Sequence, residues 1–384
     1  MKISRCLYHF IAFAAIGLLL ASCQGEKKGV VPVKIKDKDG FATSDVVLSP
    51  NPELTEDQNA IIPNIQYATE LKNKFPGLRI EMTGVQDKNT SEWIKLYGTG
   101  DPAQNLWIEI DGKPQHIQVG NIDSRESNVP LPVDIVFLVD NSSSMDDEAD
   151  VIARDIVAWT NSLKDAGFDV KVGCVGHDGM INGAIDLSAP EELSAWLSKG
   201  HGTMRTRGFT GVNAGALQSA APSYQTGGGD MNECPVAALR YADANFSFRQ
   251  GASRLYLNFT DEPNQYAGKS NFSVSSLKNN WDTSKGTVHT IFSEDRQWDK
   301  DESNRLLSEY TGGTVSYTNP SFSNISLAKL PVTSAMMNFH LISIKDIHDF
   351  IDGENHDVHL TVKSPDGKIQ GERVFQVVFP PLQQ

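Results

Sequence analysis

The chain has 384 residues and a formal net charge of −14, with 39% hydrophobic and 21% charged residues. That composition belongs to globular proteins, and the length allows roughly two domains. A chain this acidic and without a basic run is not built to hold a phosphate backbone, so nucleic acid is not expected as a partner.

Lys2 and Arg5 precede an apolar stretch from Phe10 to Leu20. It is shorter than the about 20 residues of a spanning helix and has the positive start of a secretory signal. Leu20-Ala21-Ser22-Cys23 follows and resembles the bacterial lipobox. The resemblance implies a signal peptide over 1–22, cleavage before Cys23, and a membrane anchor of acyl chains such as palmitate on its thiol; an ordinary cleaved signal with an incidental cysteine is the alternative. Gln24, not Asp, comes next, unlike the inner-membrane retention signal of some lipoproteins. The expected place is therefore the outer membrane, with either leaflet open. Of the other cysteines, Cys6 leaves with the signal, and Cys174 and Cys234 remain. They could pair in an oxidising compartment if their Cα atoms lie within about 7 Å, or pack as two small apolar residues.

Residues 23–75 are polar, carry the turn signal Pro50-Asn51-Pro52, and read as a tether with a helix near Gln66 to Lys74. Over 76–129 the period shifts toward two, at Leu78–Met82, Trp93–Tyr97, Leu106–Ile110 and His116–Val119, with a hairpin signal at Asp111-Gly112. Strands and helices alternate over 130–335. Val133–Val139 is an apolar run of the kind buried on both faces, and Asp146–Lys164 places Val151, Ile152, Ile156, Trp159 and Leu163 at helical spacing. Further strands are expected at Val170–Val175, Arg254–Thr260, Val288–Phe292 and Thr314–Tyr317, and helices at Glu191–Ser198, Cys234–Asp243 and Glu302–Tyr310. This alternation predicts an α/β fold, a doubly wound parallel sheet. The two-fold period returns over 336–384, at Phe339–Ile344, Val358–Val362 and Val374–Val378. Neither flanking set of strands buries enough apolar surface to stand alone, so together they should form one small β-sandwich into which the α/β domain is inserted.

Asp140-Asn141-Ser142-Ser143-Ser144 closes the first buried strand and opens the first helix. In open α/β sheets ligands bind at that end, and a carboxylate with two hydroxyls at alternate positions offers hard oxygens that select Mg²⁺, Mn²⁺ or Ca²⁺. Asp140-x-Ser142-x-Ser144 resembles the metal-ion-dependent adhesion site of von Willebrand factor A domains. Leu255–Pro263 resembles that family's later strand, which ends in Thr-Asp and implies Asp261 as a further ligand. The resemblance covers roughly 130 to 335. Many members take a threonine from a Gly-rich loop, whereas Gly227-Gly228-Gly229-Asp230-Met231-Asn232-Glu233 looks like the loop of integrin β subunits. By that likeness Glu233 belongs to the adhesion site and Asp230 to an accessory Ca²⁺ site. Asp147 and Glu148 fall on the carboxylates of a third ion, or are acids favoured by the helix dipole.

The resemblance implies Mg²⁺ or Mn²⁺ held by Asp140, Ser142, Ser144, Glu233 and Asp261, its open position completed by an acidic side chain of a protein ligand. Three other readings stand beside it: a structural part of an envelope or pilus assembly with a stabilising metal, a metal-assisted hydrolase, and the chaperone subunit of an ATPase, which the export signal disfavours. No nucleophile, base and orienting residue fall together in a catalytic motif, so binding is expected rather than catalysis. His177-Asp178 follows a strand and reads as a polar loop, with a ligand pair as the alternative, and His356 and His359 flank a turn and strand start far from any thiol or clustered partner.

Overall fold

The structure, a computed structural model, describes residues 41, 46–72, 75–121, 130–145, 148–226, 233–282, 285–293, 301–318 and 325–379. Eight strands come first: β1 (Ala60–Ile61), β2 (Ile65–Lys72), β3 (Phe75–Met82), β4 (Val85–Asp87), β5 (Trp93–Ile94), β6 (Leu106–Ile110), β7 (Lys113–Pro114) and β8 (Ile117–Asn121). An alternating region follows, with β9 (Leu131–Asp140), α1 (Glu148–Asp165), β10 (Phe168–His177), β11 (Ile181–Ser188), α2 (Pro190–Leu197), β12 (Gly208–Thr210), α3 (Ala214–Ala220) and α4 (Pro235–Asn245). It continues through β13 (Ser253–Thr260), α5 (Val274–Asn280), β14 (Thr287–Ser293), α6 (Asn304–Thr311), β15 (Val315–Thr318) and α7 (Pro331–Met337). Strands β16 (His340–Ile344), β17 (Asn355–Lys363) and β18 (Gln370–Val378) end the chain.

The seven-stranded sheet runs β12-β11-β10-β9-β13-β14-β15 and is parallel except where β11 pairs antiparallel with β10. β9 is its middle strand, which is why its apolar run is unbroken: Val133, Ile135, Phe137 and Val139 face one core, Val136 and Leu138 the other. Helices α1, α2 and α7 cover the first face; α3, α4, α5 and α6 cover the second. The spacing of Val151, Ile156, Trp159 and Leu163 turns all four toward the first core. Trp159 lies edge-on to Phe137, and its indole N–H donates to Thr333 at 2.8 Å, tying α1 to α7. Truncating a side chain of this size in a filled core costs about 3–5 kcal/mol.

The flanking strands build antiparallel sheets. β16 lies between β3 and β8 in the order β2-β3-β16-β8, and β17 pairs with β6 in the order β18-β17-β6-β7. Ile80, Met82 and Ile342 of one sheet share a core with Ile108, Leu360 and Phe375 of the other, so strands from both sides of the alternating region close one sandwich. The β6–β7 turn is tight because Asp111 (φ 48°) and Gly112 (φ 74°) both adopt the left-handed conformation, as the Asp-Gly pair predicts. A third, short sheet joins β1, β4 and β5.

Two expectations change, and the open question of the two cysteines is decided. Where a helix is expected near Gln66 to Lys74, the described residues to Lys72 form strand β2: Ile65 and Tyr67 alternate onto the sandwich core, and Ile65 to Lys72 pair with Met82 to Phe75, while Asn73 and Lys74 lie outside the described residues. The tether also ends earlier than 75. Asn51 already donates to His359 O (3.0 Å) and Thr361 Oγ1 (2.9 Å), and Asn59 Oδ1 accepts from Gln370 N (3.0 Å). Polar residues here fasten the chain by hydrogen bonds to β17 and β18, a role that composition does not distinguish from solvation. Cys174 and Cys234 are free; they belong to cores on opposite faces of the large sheet, which keeps them apart. No helix among the described residues is long and apolar enough to cross a membrane. Cys23 and the signal segment lie outside the described residues.

Candidate metal centre

The carboxyl ends of β9 and β13 emerge side by side. Phe259 pairs with Val139 in parallel register, so the next residues, Thr260 and Asp140, leave the sheet together. Asp140 is fully buried, Ser142, Asp261 and Glu233 nearly so, and Ser144 is exposed at the rim. Glu233 arrives from the segment before α4, held by its carbonyl, which accepts from Gln265 N at 2.6 Å.

Carboxylate oxygens of Asp140, Glu233 and Asp261 lie within 4.8 Å of one another. Ser142 N donates to Asp140 Oδ1 at 2.9 Å, Ser144 Oγ donates to Asp261 Oδ1 at 3.2 Å, and the two serine hydroxyls are 3.2 Å apart. The structure thus brings together all five residues that the motif reading singled out. Asp147 and Asp230 lie outside the described residues, as does the side chain of Glu148, which opens α1.

Electrostatics make this cluster costly by itself. Burial, more than the neighbouring Asp261 carboxylate, pushes Asp140 up to about 6. Burial, then the Asp140 charge, pushes Glu233 up further. Neither acid forms an ion pair with a lysine or arginine among the described residues. Packed carboxylates without a counter-charge stay charged only beside a cation. The donors are all oxygens, with no thiol or imidazole in the group, which fits Mg²⁺, Mn²⁺ or Ca²⁺ rather than a softer metal.

Sequence reasoning missed the residues that hold this cluster. The Thr260 hydroxyl donates to Asp140 Oδ2 at 3.0 Å and lies 3.4 Å from Glu233 Oε2, bridging two acids. Asn141 Nδ2 donates to Asn182 Oδ1 (2.6 Å) and Thr206 Oγ1 (3.0 Å), clamping the start of the Ser142–Ser144 turn. The clamp needs a glycine: a Cβ on Gly183 would sit 1.9 Å from the Thr206 carbonyl oxygen. The Asp-x-Ser-x-Ser spacing leaves position 141 unconstrained, so nothing local signals its role.

Of the pair His177-Asp178, Asp178 lies in the expected loop after β10 but His177 does not. His177 ends β10 in register with Asp140, is fully buried, and burial pushes its imidazole down to about 3, leaving it neutral. Asp178 is buried too and accepts from Asn182 Nδ2 (2.6 Å) and Arg207 (3.4 Å). His356 likewise has partners that the sequence hid: Asp111 at Nδ1 (2.7 Å) and Asp352 at Nε2 (2.9 Å). The chain matches no protein-family model and no curated protein, and the reading of the cluster rests on its own chemistry.

Proposed function

We propose that this protein binds a divalent cation, Mg²⁺ or Mn²⁺, through Asp140, Ser142, Ser144, Glu233 and Asp261, and uses it to receive an acidic side chain of a protein ligand. The observation that carries the reading is the buried cluster of Asp140, Glu233 and Asp261 beside an exposed serine rim. Six or more positions around such an ion are not filled by five residues, and the cation reverses the local sign so that an acidic partner is accepted. The alternation of strands and helices, with ligands at the carboxyl end of the sheet, supports a von Willebrand factor A-type domain whose metal site resembles that of integrin β subunits. Asp147, Glu148 and Asp230 are placed by the same likeness at accessory ions. The lipobox-like Cys23 supports export and a lipid anchor, with the outer membrane as the place of action.

Capture tests the reading directly. Residues 24–384, immobilised, are exposed to extracts of the cell envelope and of extracellular matrix, with Mg²⁺ and with chelator. A partner retained only with the ion, and released by excess free acidic peptide, is the expected result. Partners retained equally in chelator would favour a structural role for the site.

A further inference from the structure

A second cleft, of about 450 Å³, lies between the α/β part and the sandwich and plays no part in the proposed function. Its volume falls in the range of small-molecule sites. Arg373 of β18, Lys278 and Asn280 of α5, Trp281, Asp282 and Tyr310 contribute to its wall.

Arg373 is the unusual member. Its guanidinium donates to Ile62 O (2.8 Å) and Asn64 Oδ1 (2.5 Å), lies 5.2 Å over the Phe375 ring, and forms no ion pair among the described residues. Burial pulls its pKa down to about 10. A half-buried guanidinium held only by neutral acceptors has lost hydration without gaining a counter-charge, and the two bonds use two of its five N–H donors. Other arginines near the junction with the sandwich differ: Arg79 pairs with Glu81, Arg249 with Asp134 and Asp169, and Arg254 with Asp243. The smaller cleft that those three line is therefore already neutralised.

Lys278 adds a second cation, 5.5 Å from the Tyr310 ring and without a carboxylate partner among the described residues. Among the described residues Asp282 is the one acid in the wall, beside Arg373 and Lys278, so these side chains leave the cleft positive on an acidic protein. The Asn280 amide and the Tyr310 hydroxyl make no hydrogen bond among the described residues, and the partly exposed Trp281 ring, in T-shaped contact with Tyr256 and with Lys285 Nζ 5.7 Å from its centre, adds an aromatic surface to the wall. We propose that this cleft binds a small hydroxylated carboxylate of the uronic-acid class. Arg373 would grip the carboxylate as a fork, Lys278 would add charge, Asn280 and Tyr310 would meet hydroxyls, and Trp281 would pack on the C–H face of the ring.

Calorimetry of the full mature chain with glucuronate, glucose and acetate tests this. Glucuronate should bind saturably, about tenfold or more tighter than glucose or acetate, and equally with Mg²⁺ and with chelator. Arg373→Met should abolish binding, and Lys278→Met should weaken it about tenfold. Because Arg373 also anchors Ile62 and Asn64, the exposed Lys278 provides the variant that leaves folding alone. Absence of saturable glucuronate binding to the wild type, acetate binding as tight as glucuronate, or Lys278→Met binding as tight as the wild type would each overturn the proposal.

Discussion

Ser144 and Asp261, 117 positions apart, meet hydroxyl to carboxylate at 3.2 Å, because β9 and β13 are adjacent parallel strands that end at the same level. Their contact joins the β9–α1 turn to the end of β13 and makes one cluster of two sequence motifs.

Within that cluster the proposed ligands are unequal. Asp140 contributes a charged oxygen and Ser142 and Ser144 neutral ones, so Asp140→Ala should weaken Mg²⁺ or Mn²⁺ by more than about 100-fold, whereas either serine→Ala should cost roughly tenfold. Folding should survive. The β9 core does not depend on the ion, and removing the acid relieves repulsion with Glu233 and Asp261. Calorimetric titration with thermal melts in chelator checks both halves; a cooperative melt lost in Asp140→Ala would show that the carboxylate holds the fold.

The His356 bridge predicts a pH dependence in the sandwich. Burial lowers the imidazole pKa, but hydrogen bonds to Asp111 and Asp352 outweigh it, and the net shift is upward. With the folded value above the unfolded one of about 6.5, the bridge stabilises below that pH, and the contribution is lost as pH rises through the folded value. Wild-type thermal stability should therefore fall above about pH 6.5 more steeply than that of His356→Asn. Parallel pH profiles for the two proteins would remove the bridge from the account.

Deleting residues 340–384 should unfold the early strands. β16 lies between β3 and β8, and β17 pairs with β6, so the truncation leaves β8 unpaired and strips Leu360 and Phe375 from the core that covers Ile80 and Ile108. Limited proteolysis reads this out. Rapid cleavage within 75–121 is expected, and a protected fragment there would mean the early strands fold without the late ones.

Cys23→Ser should abolish metabolic labelling with a fatty acid and release the protein from the membrane fraction, since the lipobox-like motif offers that thiol as its acceptor. Continued acylation of the variant would sink the anchor reading.

How much of this was legible in the sequence varies with the range of the interactions. The β9 run, the α1 spacing, the Asp111-Gly112 turn and the Asp140-x-Ser142-x-Ser144 pattern are local, and a strand buried on both faces or a turn with two positive φ angles leaves its mark within a few residues. The stretch around Asn51 and Gln66 misled: the side-chain hydrogen bonds that fasten Asn51 to β17 leave no hydrophobic period, and the alternation of Ile65 and Tyr67 is too short to tell a strand from a helical turn. His177, Asn141 and the Arg373 cleft were invisible for a related reason. Each acquires its character from residues tens to hundreds of positions away: the strand beside His177, the turn that carries Thr206, and the Ile62 carbonyl that holds Arg373. Residue types and spacing along the chain therefore determined the elements and the ligand candidates. Only the tertiary structure decided which acids share one desolvated space and which cation has no counter-charge among the described residues, because burial and charge pairing are set by the packed surroundings rather than by the chain's neighbours.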